Sequence, residues 1–190
     1  MKRIVLTFGL ISGAISAALM AALAPFIDDI GFDKGMIIGY TSMLIAFLLV
    51  FFGVRSYRET VGDGYITFGR AFGVGILITL ISCICYVVTW EIVYFNFLPD
   101  FFEKYSAYLV EQTRASGASP AEIAKQVEDM NNMKALYDNP FFNGAITFLE
   151  PLPMGLLVTL LSAAILRKRP KEPEESEVAT AANLQNAKSH

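Results

Sequence analysis

Two glutamates stand where a carboxylate is hardest to keep. Glu150 lies within the apolar stretch FFNGAITFLEPLPMGLLVTLLSAAIL, and Glu91 within the run ending YVVTWEIVYFNFLPD. Ionisable groups at membrane depth are costly, so each is a candidate for holding or passing a proton or cation. Asn143, Thr147, Glu150 and Met154 recur at helical spacing and draw a short polar stripe along one face. Pro151 and Pro153 follow Glu150 at once. Each proline removes a backbone donor, which frees the carbonyls of Thr147 and Leu149 from their usual partners. A carboxylate beside freed carbonyls is one way transporters hold a cation. The alternative is structural: a protonated Glu150 that hydrogen-bonds across a bundle, to Tyr40 or Thr41, as interhelical glue. Should the two acids face each other at one depth, a shared proton is a further option.

Four long apolar segments must position these groups: residues 4–27, 36–54, 71–98 and 141–166. About 20 apolar residues cross a hydrocarbon core about 30 Å thick, and all four segments qualify. At a helical rise of about 1.5 Å per residue, Glu91 falls about 30 Å along the third segment. Trp90, Tyr86 and Tyr94 surround it there in an aromatic-belt pattern, so its carboxylate is also explained by simple contact with interfacial water. Glu150 falls roughly 24 Å back from Leu166, a few residues inside the same boundary. The expected fold is therefore all-α, a four-span transmembrane bundle occupying residues 1–169.

Basic residues give the expected orientation. Lys2 and Arg3 precede the first span, Arg55, Arg58 and Arg70 lie between the second and third, and Arg167, Lys168, Arg169 and Lys171 follow the fourth. Four crossings put all of them on one side, which is expected to be the cytoplasm, with both termini. A cleavable leader competes for the first segment, because Lys2-Arg3, an apolar run and Ala22-Leu23-Ala24 fit that pattern. The run is longer than a leader's apolar core, which favours a retained span.

The long connection at about 100–138 reads as an extracytoplasmic helical hairpin between spans three and four. Asp100 is placed to cap its first helix, whose Phe101, Phe102, Tyr105, Tyr108 and Leu109 fall mostly on one face. Gly117 suits a helix stop. Ser119-Pro120-Ala121-Glu122 is a capping box with proline at the first helical position. Ile123, Val127, Met130 and Met133 then recur at helical spacing, and Asn139-Pro140 ends the helix. The hairpin is either a cap packed on the bundle or a lid that binds a partner; amphipathic stripes of this kind normally bury against their own protein.

Small residues mark helix contacts. Gly9, Gly13, Ala17 and Ala21 line one face of the first span, Gly35 and Gly39 repeat the spacing in the second, and Gly155, Thr159 and Ala163 resemble it in the fourth. These spacings suit packing within one chain and homo-oligomers equally. Arg55, Arg58 and Arg70 are placed to meet anionic lipid headgroups, or serve only to orient the chain. The residues 170–190 are polar, rich in Pro, Glu and Ala, and expected to form a disordered cytoplasmic tail.

Several chemistries are excluded. The single histidine, His190, is terminal, so no serine–histidine pair and no H-E-x-x-H zinc site can form within the membrane. Cys83 and Cys85 have neither the spacing of a redox pair nor the company a zinc site needs. The glycines between Gly62 and Gly75 do not make a phosphate loop. No basic patch suited to nucleic acid is present. No cofactor or metal is implied, and the expected partner is the lipid bilayer itself.

The stretches IGYTSMLIAFLLVFFGVRSYRE, ITFGRAFGVGILI, LPDFFEKY, SGASPAEI and NPFFNGAITFLEPLPMGLLVTLLSAAILRKR have a collective likeness. Over residues 2–169 the chain resembles domain-of-unknown-function family 4199, small bacterial integral membrane proteins. The arginine pair after the second span and the Thr-Phe-Leu-Glu segment of the fourth are the most specific parts. The resemblance implies a bacterial origin, hence the inner membrane, and a retained first span. It implies no activity and transfers no role to Glu91 or Glu150. Two readings of function stand: a non-enzymatic structural or accessory bundle, and a small ion- or proton-coupled carrier or channel with Glu150, and Glu91 beside it, as titrating group.

Overall fold

The computed structural model describes residues 1–169, so the tail expected at 170–190, with His190, lies outside the described residues. The chain is all-α: α1 (Lys2–Leu23), a 3-10 turn (Ala24–Phe26), α2 (Ile27–Ile30), α3 (Phe32–Thr60), α4 (Phe68–Phe97), α5 (Phe101–Ala115), α6 (Pro120–Tyr137), α7 (Pro140–Leu149) and α8 (Pro151–Leu166). Four stretches are long and apolar enough to cross a membrane: Lys2–Ile30, Phe32–Thr60, Phe68–Phe97 and Pro140–Leu166. The chain is a multi-pass membrane protein. The helices overrun the apolar segments at several ends, because charged residues such as Asp33, Arg55 and Arg58 continue a turn beyond the apolar run.

Local chemistry sets the helix ends. Gly31 turns the chain between α2 and α3 at φ +77°, a conformation open to glycine. The Arg70 N–H bonds the Thr67 hydroxyl at 3.4 Å to cap α4. Asn139 caps α7 by accepting the Phe141 N–H at 3.0 Å. Pro151 has no N–H to give the Thr147 carbonyl, and the helix divides there into α7 and α8 with Glu150 between them.

The bundle runs up, down, up, down. Ser12 on α1 donates to the Ala46 carbonyl on α3 at 2.9 Å, while Phe8 lies by Gly53, so these helices are antiparallel. Ser82 on α4 donates to the Gly9 carbonyl at 3.3 Å, and Cys85 lies by Gly13, so α1 and α4 run parallel. Thr79 and Thr159 join α4 to the antiparallel α8 at 3.0 Å. Around the bundle the order is α1, α4, α8, α3, with α3 and α4 meeting across the centre.

Its interior mixes apolar side chains, among them Phe47, Val50, Val54, Val74 and Ile78, with small hydroxyl residues, and its outer surface is apolar. Ser12, Thr79, Ser82, Thr159 and Ser162 are buried. Leu10, Leu48, Ile84, Leu157 and Ile165 are exposed. Lipid tails are as apolar as leucine, so such helices gain more from close approach and shared hydrogen bonds than from burying leucine. The segment read as a rival leader is part of this core, with Val5, Gly9, Ser12 and Gly13 buried.

The basic ends of the spans converge. Ile66 and Lys168 form a two-way backbone bridge at 2.9 Å each, and Arg58 Nη1 donates to the Leu166 carbonyl at 3.3 Å. At the opposite end, α5 and α6 form the helical hairpin. The capping box is present: the Ser119 hydroxyl accepts the Glu122 N–H, and the Glu122 carboxylate accepts the Ser119 N–H. Gly117 closes α5 at φ +82°. Asp100, expected to cap α5, does not. Its backbone sits at φ −95°, ψ 8°, outside the extended region a capping side chain needs, and its carboxylate lies 3.7 Å from Lys104 Nζ instead.

Candidate functional site

Beneath the hairpin, where α1, α3, α4 and the α7–α8 break come together, lies a cavity of about 190 Å³. Its walls are mainly apolar, with Met20, Leu23, Met36 and Met43 among them. Trp90 and Phe101 meet edge-on at 5.0 Å, and Phe32 meets Phe101 at 5.7 Å; all three rings line the cavity. The polar groups are few: Glu150, Tyr86, Tyr40, Ser16 and Ser42.

Glu150 reaches this cavity because the helix breaks beside it. The Tyr86 hydroxyl donates to Glu150 Oε2 at 3.2 Å, joining α4 to the break. Glu150 is an exposed residue, and it forms part of the cavity wall. Among the described residues no cationic side chain lines the cavity. The expected partners on α3 are not the ones used. Tyr40 lines the cavity but makes no hydrogen bond to Glu150, and the Thr41 hydroxyl turns back to the Ile37 carbonyl at 2.7 Å.

The rest of the polar stripe points elsewhere. Asn143 is fully buried; its amide donates to the Tyr137 carbonyl at 3.2 Å and accepts the Thr147 hydroxyl at 3.2 Å. These two satisfy each other and pin α7 to the end of α6 rather than extend a path from Glu150. Glu91 is separate again. Its Oε1 is buried and, among the described residues, unpartnered. It faces Gly144 of α7, where a Cβ would stand 3.4 Å from the oxygen. Glu150 lines the cavity and Glu91 does not, and no hydrogen bond links the two acids, so they share no proton in this arrangement.

The small-residue positions divide likewise. Gly9 and Gly13 let α1 close on α4: an added Cβ would lie 2.9 Å from Ile81 and 2.5 Å from Cys85. Ala17 lies half-buried farther along α1. Gly35 approaches Ile27 of α2, whereas Gly39 has open space around it. Gly39, expected to mark a helix contact, instead contributes the cavity wall, with nothing within 4 Å of where its Cβ would stand.

At the basic end Arg58 is engaged by Glu59 and the Leu166 carbonyl, which leaves less of it for a lipid headgroup. A helix end leaves its last carbonyls unpaired, and this arginine fills one of them. Arg55 and Arg70 are exposed.

Tyr86 and Trp90 are site residues that the aromatic-belt reading passed over. Their signal was present in the spacing, since Tyr86, Trp90 and Val93 share one face of α4 and all line the cavity.

Neither the curated proteins nor the solved structures include a match to this chain. The family model described as Protein of unknown function (DUF4199) matches residues 7–168, the four spans and the hairpin together, and the chain belongs to that family.

Proposed function

We propose that the protein is a non-enzymatic accessory bundle of the bacterial cytoplasmic membrane, with both termini in the cytoplasm and the hairpin outside. The orientation follows from the arginines and lysines gathered at the end opposite the hairpin. The observation that carries the accessory reading is the Tyr86–Glu150 hydrogen bond. It ties the broken fourth span to the third at the point where Pro151 takes away a helical bond. The bundle's other buried hydroxyls serve the same end, as in Ser12 to Ala46 and Thr79 to Thr159. A second reading, an ion- or proton-coupled carrier, is favoured by one observation: the Glu150 carboxylate opens onto a cavity rather than being sealed in the core.

Glu150→Gln separates the two. In the accessory bundle the amide oxygen still accepts from Tyr86, and thermal stability in detergent changes by less than about 0.6 kcal/mol, the average worth of such a bond between spans. Tyr86→Phe then costs more than Glu150→Gln. In a carrier, folding survives Glu150→Gln but proton- or cation-dependent flux in proteoliposomes disappears. Absence of flux from the unaltered protein under imposed proton, sodium and potassium gradients removes the carrier.

A further inference from the structure

We infer that the cavity under the hairpin is a binding site for a small organic cation, an ammonium carried on a compact apolar or aromatic body. Three observations carry this. First, the volume of about 190 Å³ is somewhat larger than the roughly 150 Å³ that holds a benzene ring, so a single ring with a short side chain fits. Second, the wall chemistry is one-signed. A mainly apolar surface of methionine, leucine and aromatic rings holds one carboxylate, Glu150, whose only hydrogen-bond donor among the described residues is the neutral Tyr86 hydroxyl. A carboxylate so placed is compensated best by a cation, and an anionic ligand would be repelled. The rings of Trp90, Phe101 and Phe32 add faces suited to an ammonium or to a ligand's own ring.

Third, a neighbouring hollow carries more acid than base. This second hollow of about 230 Å³ shares Ala24, Ile27, Leu98 and Phe101 with the cavity and lies toward the hairpin. Asp28 and Asp100 line it, with Lys104 bridging them at 2.7 and 3.7 Å. Two carboxylates against one ammonium leave this hollow net negative, and a negative potential concentrates cations from solution. The site goes beyond the accessory reading, and it stands whether the bundle moves its occupant or only holds it.

The chain's one tryptophan, Trp90, lines the cavity and reports on it. The test is a titration of the purified full chain, in phosphatidylglycerol nanodiscs, with 2-phenylethylamine, followed by tryptophan fluorescence and calorimetry. The neutral 2-phenylethanol and the anionic phenylacetate serve as matched probes. Saturable binding of the amine, at least tenfold tighter than the alcohol and with no binding of phenylacetate, is expected. Glu150→Gln should remove the preference for the amine. Gly39→Leu, which fills the cavity from a position with free space around it, should abolish binding of both amine and alcohol while Glu150 and Tyr86 remain. No saturable signal from the unaltered protein, equal affinity for amine and alcohol, or full affinity in a folded Gly39→Leu protein overturns the site. The same ammonium chemistry belongs to free amines and to phosphatidylethanolamine headgroups. Adding that lipid to the nanodiscs weakens the amine if the headgroup occupies the site and leaves it unchanged if a water-borne amine does; either result supports an ammonium site.

Discussion

Gly13 and Gly39 sit in the same kind of small-residue spacing, and their surroundings give them opposite tasks. A Cβ on Gly13 would lie 2.5 Å from the Cys85 Cβ, with the Ser82 Cα 3.7 Å away on the same helix. Nothing lies within 4 Å of a Cβ on Gly39. Overpacking a tight contact costs about 1–3 kcal/mol, whereas a substitution into free space stays within about 0.5 kcal/mol. Gly13→Leu is therefore expected to destabilise the bundle by about that larger amount, and Gly39→Ala to leave it nearly unchanged. Denaturant unfolding in a fixed detergent, followed by helical circular dichroism, checks the pair. Equal losses at the two positions would show that α1 does not close on α4 through Gly13. A residue's neighbours thus decide its role, and neighbours across helices were the part of the site the sequence did not display. Glu150 was visible as a costly acid, but its donor Tyr86 stands 64 positions away, on another span.

The hairpin is held by elements of unequal strength. Its inner joint is apolar: Phe102 is buried against Tyr137, and the Phe32 ring meets Phe101, Tyr105 and Tyr108 at 5.2 to 5.7 Å. Lys104–Asp28 and Lys134–Glu103 lie on the surface, where such pairs are weak. The far helix α6 has no buried residue, so its start depends on local chemistry. Ser119 supplies it: its backbone N–H, and then its hydroxyl, hold the Glu122 carboxyl below the ordinary glutamate range. A carboxyl with a lower folded than unfolded value adds stability above the unfolded value. That share is lost as pH falls through the folded one. The first turn of α6 is thus expected to fray as pH drops through and below the ordinary glutamate range, while the spans hold. Ser119→Ala should cost the helix start about 1 kcal/mol at neutral pH, and Glu122→Gln should remove the acid sensitivity, because no carboxylate is left to take up a proton. Amide hydrogen exchange over residues 119–126 at a series of pH values measures both. A Glu122→Gln protein that retains the full acid response would assign it to another group. This capping box was plain in the sequence because every partner lies within four residues. Asp100 misled for the complementary reason: its residue type suits a cap, but the neighbouring Leu98-Pro99 turn sets a backbone angle that does not.

At the scale of the whole molecule, the fold was legible because a bilayer imposes simple rules. Length and apolarity mark the spans, and those marks survive in the four long helices. Which faces meet was not legible, since stripes of glycine, serine and threonine occur on several sides of these helices and fit several packings. The structure resolves them into one up-down-up-down array with serine and threonine hydroxyls buried inside and most leucines facing out. The same array brings Lys2, Arg55, Arg70 and Arg167 to one end and the α5–α6 turn to the other. A side for each end is then testable with the protein's own cysteines as internal controls, because Cys83 is buried and Cys85 packs against Gly13. A membrane-impermeant maleimide should label Ser116→Cys in intact spheroplasts and Val61→Cys only after lysis. Both residues are exposed and lie in the turns beyond their helices, so labelling reports sidedness rather than burial. Tags on the two termini should become accessible together, again only after lysis. If they respond from opposite faces, the number of crossings is odd. At least one of the four helices then fails to span, and Glu150 and Glu91 no longer share an end of the bundle.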